Sequence, residues 1–343
     1  MATRKAASDG RPQISQVSPE AAIAGGEFQI RGSGFAAQEQ PRVQIGDVAA
    51  QVVVGSNSFV VAKVPEGASA GALVISSGEK QSKAWTCDVG ISIAENLHPV
   101  TSPAVDRMGN IFSTFSGSRG QKVPVAVYKI DLNFSMKPFI NDLMNATSMA
   151  FDTDGLLYIT SRFDGVVYQV TPSGNMSVFV EGMGVATGLA FDDEGNLYVG
   201  DRSGTIFKIS PSRQIFVFAT LEPSISAYHL AFGPDRCLYV TGPTTSSFDC
   251  VYRISHEGDV DVFYRGLGRP QGMDFDENSN LYVSASLGGR KGVIRITPDR
   301  VADLFVSGPA IVGLQFAPSR SLIVSTTNAL HRVDVGIKGL RYV

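Results

Sequence analysis

The chain has 343 residues, 43% hydrophobic and 18% charged, with 36 glycines, 17 prolines and a formal net charge of -3. This length holds one small module plus one large repeat array, and the Gly and Pro content argues for short strands and tight turns against a helical bundle. A pI near 5.8 excludes an overall electrostatic pull toward nucleic acid or an anionic membrane, and no segment approaches the roughly eighteen apolar residues that span a bilayer.

In chain order, residues 1–11 read as a disordered polar tail, and the opening MATRKAASDG lacks the apolar core of a secretory signal. As given, the chain reads as cytoplasmic; export or cell-surface placement would require a different natural start. Residues 12–86 carry short β-branched runs broken by Pro and Gly, the pattern of a sandwich with one inward face per strand. Pro12, Ile14, Pro19, Gly25, Gly26, Ile30, Gly32, Phe35, Gly46, Val64 and Pro65 resemble the IPT/TIG domain, an immunoglobulin-like fold. The resemblance implies a spacer or interaction module and no chemistry.

From residue 98 onward one phrase recurs, as SMAFDTDGLLYIT, GLAFDDEGNLYVG, HLAFGPDRCLYVT and GMDFDENSNLYVS, with weaker copies SPAVDRMGNIFST and GLQFAPSRSLIVS. The matching apolar positions Val105, Phe151, Phe191, Phe232, Phe275 and Phe316 are 46, 40, 41, 43 and 41 residues apart, a period of propeller blades or a solenoid. Each copy continues into a third strand such as Val167-Tyr168-Gln169-Val170 and a fourth such as MSVFV. Six four-stranded antiparallel meanders follow, with residues 88–97 expected to complete the last. The whole is read as all-β: an immunoglobulin-like sandwich over 12–86 and a six-bladed β-propeller over 87–343. Cys87, Cys237 and Cys250 read as packed thiols, since hairpin pairing sets Cys237 and Cys250 at opposite ends.

The array is similar to NHL-repeat propellers and to the SMP-30/gluconolactonase and virginiamycin B lyase groups, pairings of a bacterial type. These motifs specify fold well and activity poorly. In propellers of this kind the start of each innermost strand faces the usual ligand side, which makes Thr101, Thr147, Thr187, Tyr228, Gln271 and Val312 the expected ring at the channel mouth. Resemblance to the metal-dependent lactonases implies Glu, Asn and Asp ligands in the first, third and fifth blades. Here those positions are Thr101, Thr187 and Gln271, an uncharged set ill-suited to a hard cation, so no metal and no cofactor is expected. Virginiamycin B lyase chemistry calls for a His and a Glu; His229 is the candidate base beside Tyr228 as proton donor, against a plain packing role.

The loops between second and third strands carry Arg119, Lys122, Arg162, Asp164, Asp201, Arg202, Asp249, Arg290 and Lys291, a modestly electropositive rim. Arg162 and Arg202 are the expected ligand contacts, with pairing to Asp164 and Asp201 as the plainer reading. Taken together, the sequence points to a non-catalytic propeller that binds a small polar or anionic ligand or a protein partner. The alternative is a hydrolase or lyase with a departed active site. RNA binding is not expected, for want of basic runs with exposed aromatics.

Overall fold

The structure, a computed structural model, describes residues 11–115, 123–245 and 249–342. The tail expected over 1–11 lies, except for Arg11, outside the described residues, as do Arg119 and Lys122. Regular structure among the described residues is β, apart from one 3-10 turn at Leu340–Tyr342. No helix is long and apolar enough to cross a membrane. Two compact units are formed, one by residues up to Ile91 together with Leu304–Pro309, the other by Ser92–Asp303 together with the residues from Ala310 on.

In the first unit, Gln13–Ser18, Glu27–Ser33, Phe59–Lys63 and Val48–Gly55 pair antiparallel in succession, while Arg42–Ile45, Gly71–Ser77 and Trp85–Val89 form the facing group. Alternation puts Phe28 and Ile30 inward, where they share one core with Val43, Ile45, Leu73 and Ile75. Gly32 is required by close packing, because a Cβ there would stand 1.9 Å from the Gln13 carbonyl oxygen. This unit is an immunoglobulin-like sandwich.

The second unit is a β-propeller of four-stranded antiparallel sheets. A representative sheet runs Ala146–Phe151, Leu157–Ser161, Val166–Val170 and Met176–Val180. The recurring residues now have physical reasons. In DDEGNLY, Asp192 Oδ1 accepts from the Glu194 and Asn196 amides at 3.0 and 2.8 Å, and Oδ2 accepts from the Asn196 side chain at 2.8 Å and the Tyr198 hydroxyl at 3.2 Å. That closes the turn between first and second strands. The Tyr ring then packs edge-on against the Phe of the following repeat: Tyr158 on Phe191 at 4.8 Å, Tyr198 on Phe232, Tyr239 on Phe275 at 4.9 Å, and Tyr282 on Phe316 at 5.0 Å.

A second set of bonds joins the repeats where their first strands begin. Thr101 Oγ1 donates to the Thr147 carbonyl at 2.6 Å, Thr160 Oγ1 to that of Thr187 at 2.7 Å, and Thr241 Oγ1 to that of Gln271 at 2.6 Å. The Tyr228 amide donates to Thr187 Oγ1 at 3.1 Å, and the Gly272 amide to the Val312 carbonyl at 3.2 Å. Ser325 Oγ donates back to the Thr101 carbonyl at 2.8 Å. These bonds make a circuit through all six sequence repeats.

Six separate blades were expected; five free-standing four-stranded sheets are found. The repeat around Phe275 supplies Met273–Phe275, Leu281–Leu287, Arg290–Ile296 and Ala302–Ser307, which lie within a thirteen-stranded sheet. The cause is an edge pairing in the first unit, where Ala21 and Ala22 run parallel to Val306 and Ser307 and the Ile23 amide donates to the Ser307 carbonyl at 2.9 Å. One of the five sheets draws its outer strand from Ile91–Glu95, which pairs with Ala329–Val333. All three cysteines are free and buried.

Replacing Thr160 with Val keeps its shape but removes the donor to the Thr187 carbonyl and the acceptor of the Ser148 amide, 2.9 Å away. Thr160→Val is expected to lower unfolding stability by about 1–3 kcal/mol, and Thr160→Ser to keep most of it. Urea unfolding of the two variants checks this; equal stability of the Thr160→Val and wild-type proteins would show that the circuit contributes nothing.

Candidate ligand cavity in the propeller

The circuit decides which end of the propeller is closed. A Cβ on Gly313 would lie 2.3 Å from the Ser102 amide nitrogen, and one on Gly272 would lie 2.3 Å from Ser102 Oγ. First strands thus meet almost backbone to backbone where they begin. Further along they leave a cavity of about 780 Å³, bordered by the first turns at Asp152–Gly155 and Gly233–Arg236. It lies toward the ends of the first strands, opposite the face expected from the sequence.

The six residues of the expected ring lie apart from this cavity. Thr101, Thr147, Thr187 and Tyr228 are buried and belong to the closed end, with their hydroxyl, carbonyl or amide groups committed to other residues. Gln271 contributes its carbonyl to Thr241 and its amide to the Ser284 carbonyl, and Val312 is buried. None of these six borders the cavity. Among the described residues no three His, Cys, Asp or Glu side chains are grouped so as to hold a metal ion.

The described basic residues of the expected rim, Arg162, Arg202, Arg290 and Lys291, do not border the cavity. Arg202 donates to the carbonyls of Ser224 and Ile225, both at 3.2 Å, so it fastens a loop and does not pair with Asp201. Asp201 accepts from the Val185 amide at 2.8 Å and from the Ser203 hydroxyl, and Asp249 from Thr244. Asp164 accepts from the Tyr168 hydroxyl at 2.9 Å. Arg162 sits in the loop after the second strand, where its amide donates to the Asn145 carbonyl, and it does not border the cavity.

His229 does border it. Tyr228, one residue earlier, points to the other side of the strand, as pleating requires. Its ring is wedged where Cβ atoms on Gly200 and Gly242 would come within 2.9 and 2.5 Å, and its hydroxyl donates to the Glu222 carbonyl. Burial pushes the Tyr228 phenol up to about 12, and its hydroxyl is committed to the Glu222 carbonyl and not to His229. The His229 side chain is only 5% exposed and has no hydrogen-bond partner among the described residues. Burial alone lowers its pKa to about 4, which leaves a neutral imidazole with one donor and one acceptor.

Three further wall residues escaped the sequence reading: Asp274, Gln315 and Arg341. Three of the four full copies of the phrase carry Ala at this level, as Ala150, Ala190 and Ala231, whereas MDF and LQF substitute Asp274 and Gln315. The departure from Ala was the available signal. Asp274 Oδ1 accepts from the Phe275 amide at 2.9 Å, and Oδ2 from the Phe316 amide at 2.9 Å and Gln315 Nε2 at 2.6 Å. Burial raises its pKa to about 6 against the opposing pull of Arg341 and these three donors. Arg341 arrives on the C-terminal segment, past the last repeat, and had no sequence signal.

The two shifted groups have opposite pH linkages. His229 is neutral when folded and regains its ordinary value of 6.5 on unfolding, so it costs stability as pH falls from 6.5 toward about 4. Asp274 holds its proton up to about 6 when folded but only to 3.8 unfolded, so it costs stability as pH rises through that window. In the native chain the two slopes oppose one another. Relative to wild type, Asp274→Asn should lose stability on going from pH 7 to 4, and His229→Gln should gain it. Urea unfolding at pH 4, 5, 6 and 7 checks both; parallel pH profiles for all three proteins would contradict the assignment.

Residues 12–84 match the IPT/TIG domain family. No curated protein matches the chain in sequence. Among solved structures, a gluconolactonase from Xanthomonas campestris is similar with 14% identity and a TM-score of 0.59, over 72% of this chain and 89% of that one. An auxiliary nutrient binding protein from Bacteroides thetaiotaomicron is similar over 94% and 97% of the two chains, with 12% identity and a TM-score of 0.57. A virginiamycin B lyase from Staphylococcus aureus shares 14% identity and a TM-score of 0.51, over 70% and 97%. At these identities the likeness is one of fold alone: residues 12–84 match the IPT/TIG family, and the rest is a β-propeller similar in fold to these structures.

Proposed function

We propose that this chain is a binding protein whose propeller takes one small polar ligand into its cavity without transforming it. The IPT/TIG domain serves as a structural or interaction module. The observation that carries this reading is the buried, unpartnered His229 on the wall of the same cavity as the Asp274–Gln315 pair. An imidazole on a cavity wall, without a hydrogen-bond partner among the described residues, is a group available to a ligand. The wall is also preorganised, because Asp274 is fastened by three donors and the first strands are tied at their origin. The nutrient-binding protein of similar fold supports the reading as a precedent for binding.

A screen of a metabolite library by thermal shift tests it, with Ala231→Leu filling the cavity wall. A ligand at a hundred times its Kd stabilises the native state by about 2.7 kcal/mol, a readily measured shift in Tm. Compounds that stabilise wild type should leave the Ala231→Leu protein unmoved, provided its own melting is cooperative. Equal shifts in both proteins would place binding elsewhere.

A second reading is favoured by one observation: His229 and Asp274, both with displaced pKa values, border one cavity, as acid and base groups of active sites commonly do. Under that reading the chain is a hydrolase or lyase, a class to which its gluconolactonase and lyase neighbours belong. Turnover of a lactone panel, lost in both His229→Ala and Asp274→Asn, would establish it in place of the first.

A further inference from the structure

The hydrogen-bonding capacity left unspent in the cavity is mostly donor capacity. Asp274, the carboxylate fastened into the wall, spends its oxygens on Phe275, Phe316 and Gln315 and so acts as a positioning residue for the Gln315 amide. Gln315 retains a second N–H and its carbonyl oxygen. Neutral His229 offers a ring N–H, and Arg341 offers an entire guanidinium with no hydrogen bond or ion pair among the described residues. Of the other cations bordering the cavity, Arg236 pairs with Asp193 at 2.9 Å and Lys129 lies 5.4 Å over the Phe112 ring, while Arg107, exposed like Arg341, is carried on the first turn of its repeat.

Arg341 is held there by main-chain contacts of the C-terminal segment. The Glu277 amide donates to the Lys338 carbonyl at 2.9 Å, and Gly339 bridges to Asp276. Gly339 is pressed onto Phe316, where a Cβ would stand 2.5 Å from the Phe316 Cβ, and Leu340 and Arg341 follow onto the cavity wall. The Arg341 charge is close enough to act on buried Asp274.

Building on the reading of this cavity as a ligand site, we propose that its ligand is a monoanionic carboxylate and that Arg341 is the residue that selects it. A guanidinium fork, a ring N–H and an amide N–H match the oxygens of a carboxylate, which is acceptor-only. A dianion fits less well, since the Arg341 guanidinium shares the cavity with Asp274 and its border with Asp152, Asp154, Asp192 and Asp193.

Calorimetric titration of the full chain at pH 7 with lactate, glycerate and quinate, their neutral amides, and inorganic phosphate tests this. At least one carboxylate should bind saturably to wild type, at least tenfold more weakly to Arg341→Gln, and with unchanged affinity to Arg162→Gln, a residue that does not border the cavity, with Tm showing that both variants are folded. The proposal is overturned if no carboxylate binds, if an amide binds as tightly as its acid, if phosphate binds more tightly than every carboxylate, or if Arg341→Gln binds like wild type. Carboxylate binding that survives in Ala231→Leu would sink the cavity reading itself, whereas loss in Ala231→Leu with retention in Arg341→Gln would sink only the role of Arg341.

Discussion

The hydrogen bonds that tie each repeat to the next at the start of its first strand are the constraint on which the rest of the propeller depends. Strands converging on an axis bring backbone carbonyls into a space that water does not fill, and each buried carbonyl needs a donor. Hydroxyls of Thr101, Thr160, Thr241 and Ser325 and the Gly272 amide supply one across five of the junctions, and the Tyr228 amide closes the sixth onto the Thr187 hydroxyl. Short side chains suit the task because they bridge adjacent backbones without holding them apart. The same closeness admits only Gly at 272 and 313 beside Ser102. One end is therefore shut by backbone, and the room for a ligand is displaced toward the other.

That displacement explains what the sequence made legible and what it hid. Strand order, turn chemistry and the Phe–Tyr edge contacts are local or repeat with a fixed spacing, so Asp192, Tyr198 and Phe232 announce their roles through recurrence alone. The sandwich was legible for a similar reason, since Phe28 and Ile30 alternate with polar neighbours on a half-buried strand. Thr101, Thr147 and Thr187 looked like ligand contacts because a column of polar side chains near an axis suggests an open channel. Their hydroxyls instead serve neighbouring backbone. Whether a column faces a void depends on how tightly backbones approach, a tertiary quantity that repeat spacing does not encode.

The remaining differences have equally specific origins. The pairing of Ala21 and Ala22 with Val306 and Ser307 is two residues long on one side and free of any periodic pattern, so nothing in sequence marks an edge shared across some 280 positions. Arg341 follows the last repeat, where alignment of copies has no column for it. Asp274 and Gln315 were readable in principle as departures from Ala in the same column, and a search for deviations from the repeat would have found them where a search for polar columns did not.

Asp274 also bears on why the wall is built as it is. A carboxylate buried among first strands is destabilising unless its oxygens are satisfied, and hydrophobic residues of similar volume usually serve stability as well or better. The Ala at this level in neighbouring repeats shows that the fold itself does not require an acid there. Its three bonds aim the Gln315 amide and fix the Phe316 backbone, so the gain lies in orientation. The cation that acts on it stands apart from the circuit, held by a short C-terminal run through one amide bond, one bridge and the packing of Gly339. Rigidity of the polar wall and placement of the positive charge are thereby separate properties of the chain, and changes at Lys338 to Arg341 can alter what the cavity accepts without disturbing the bonds that hold the propeller together.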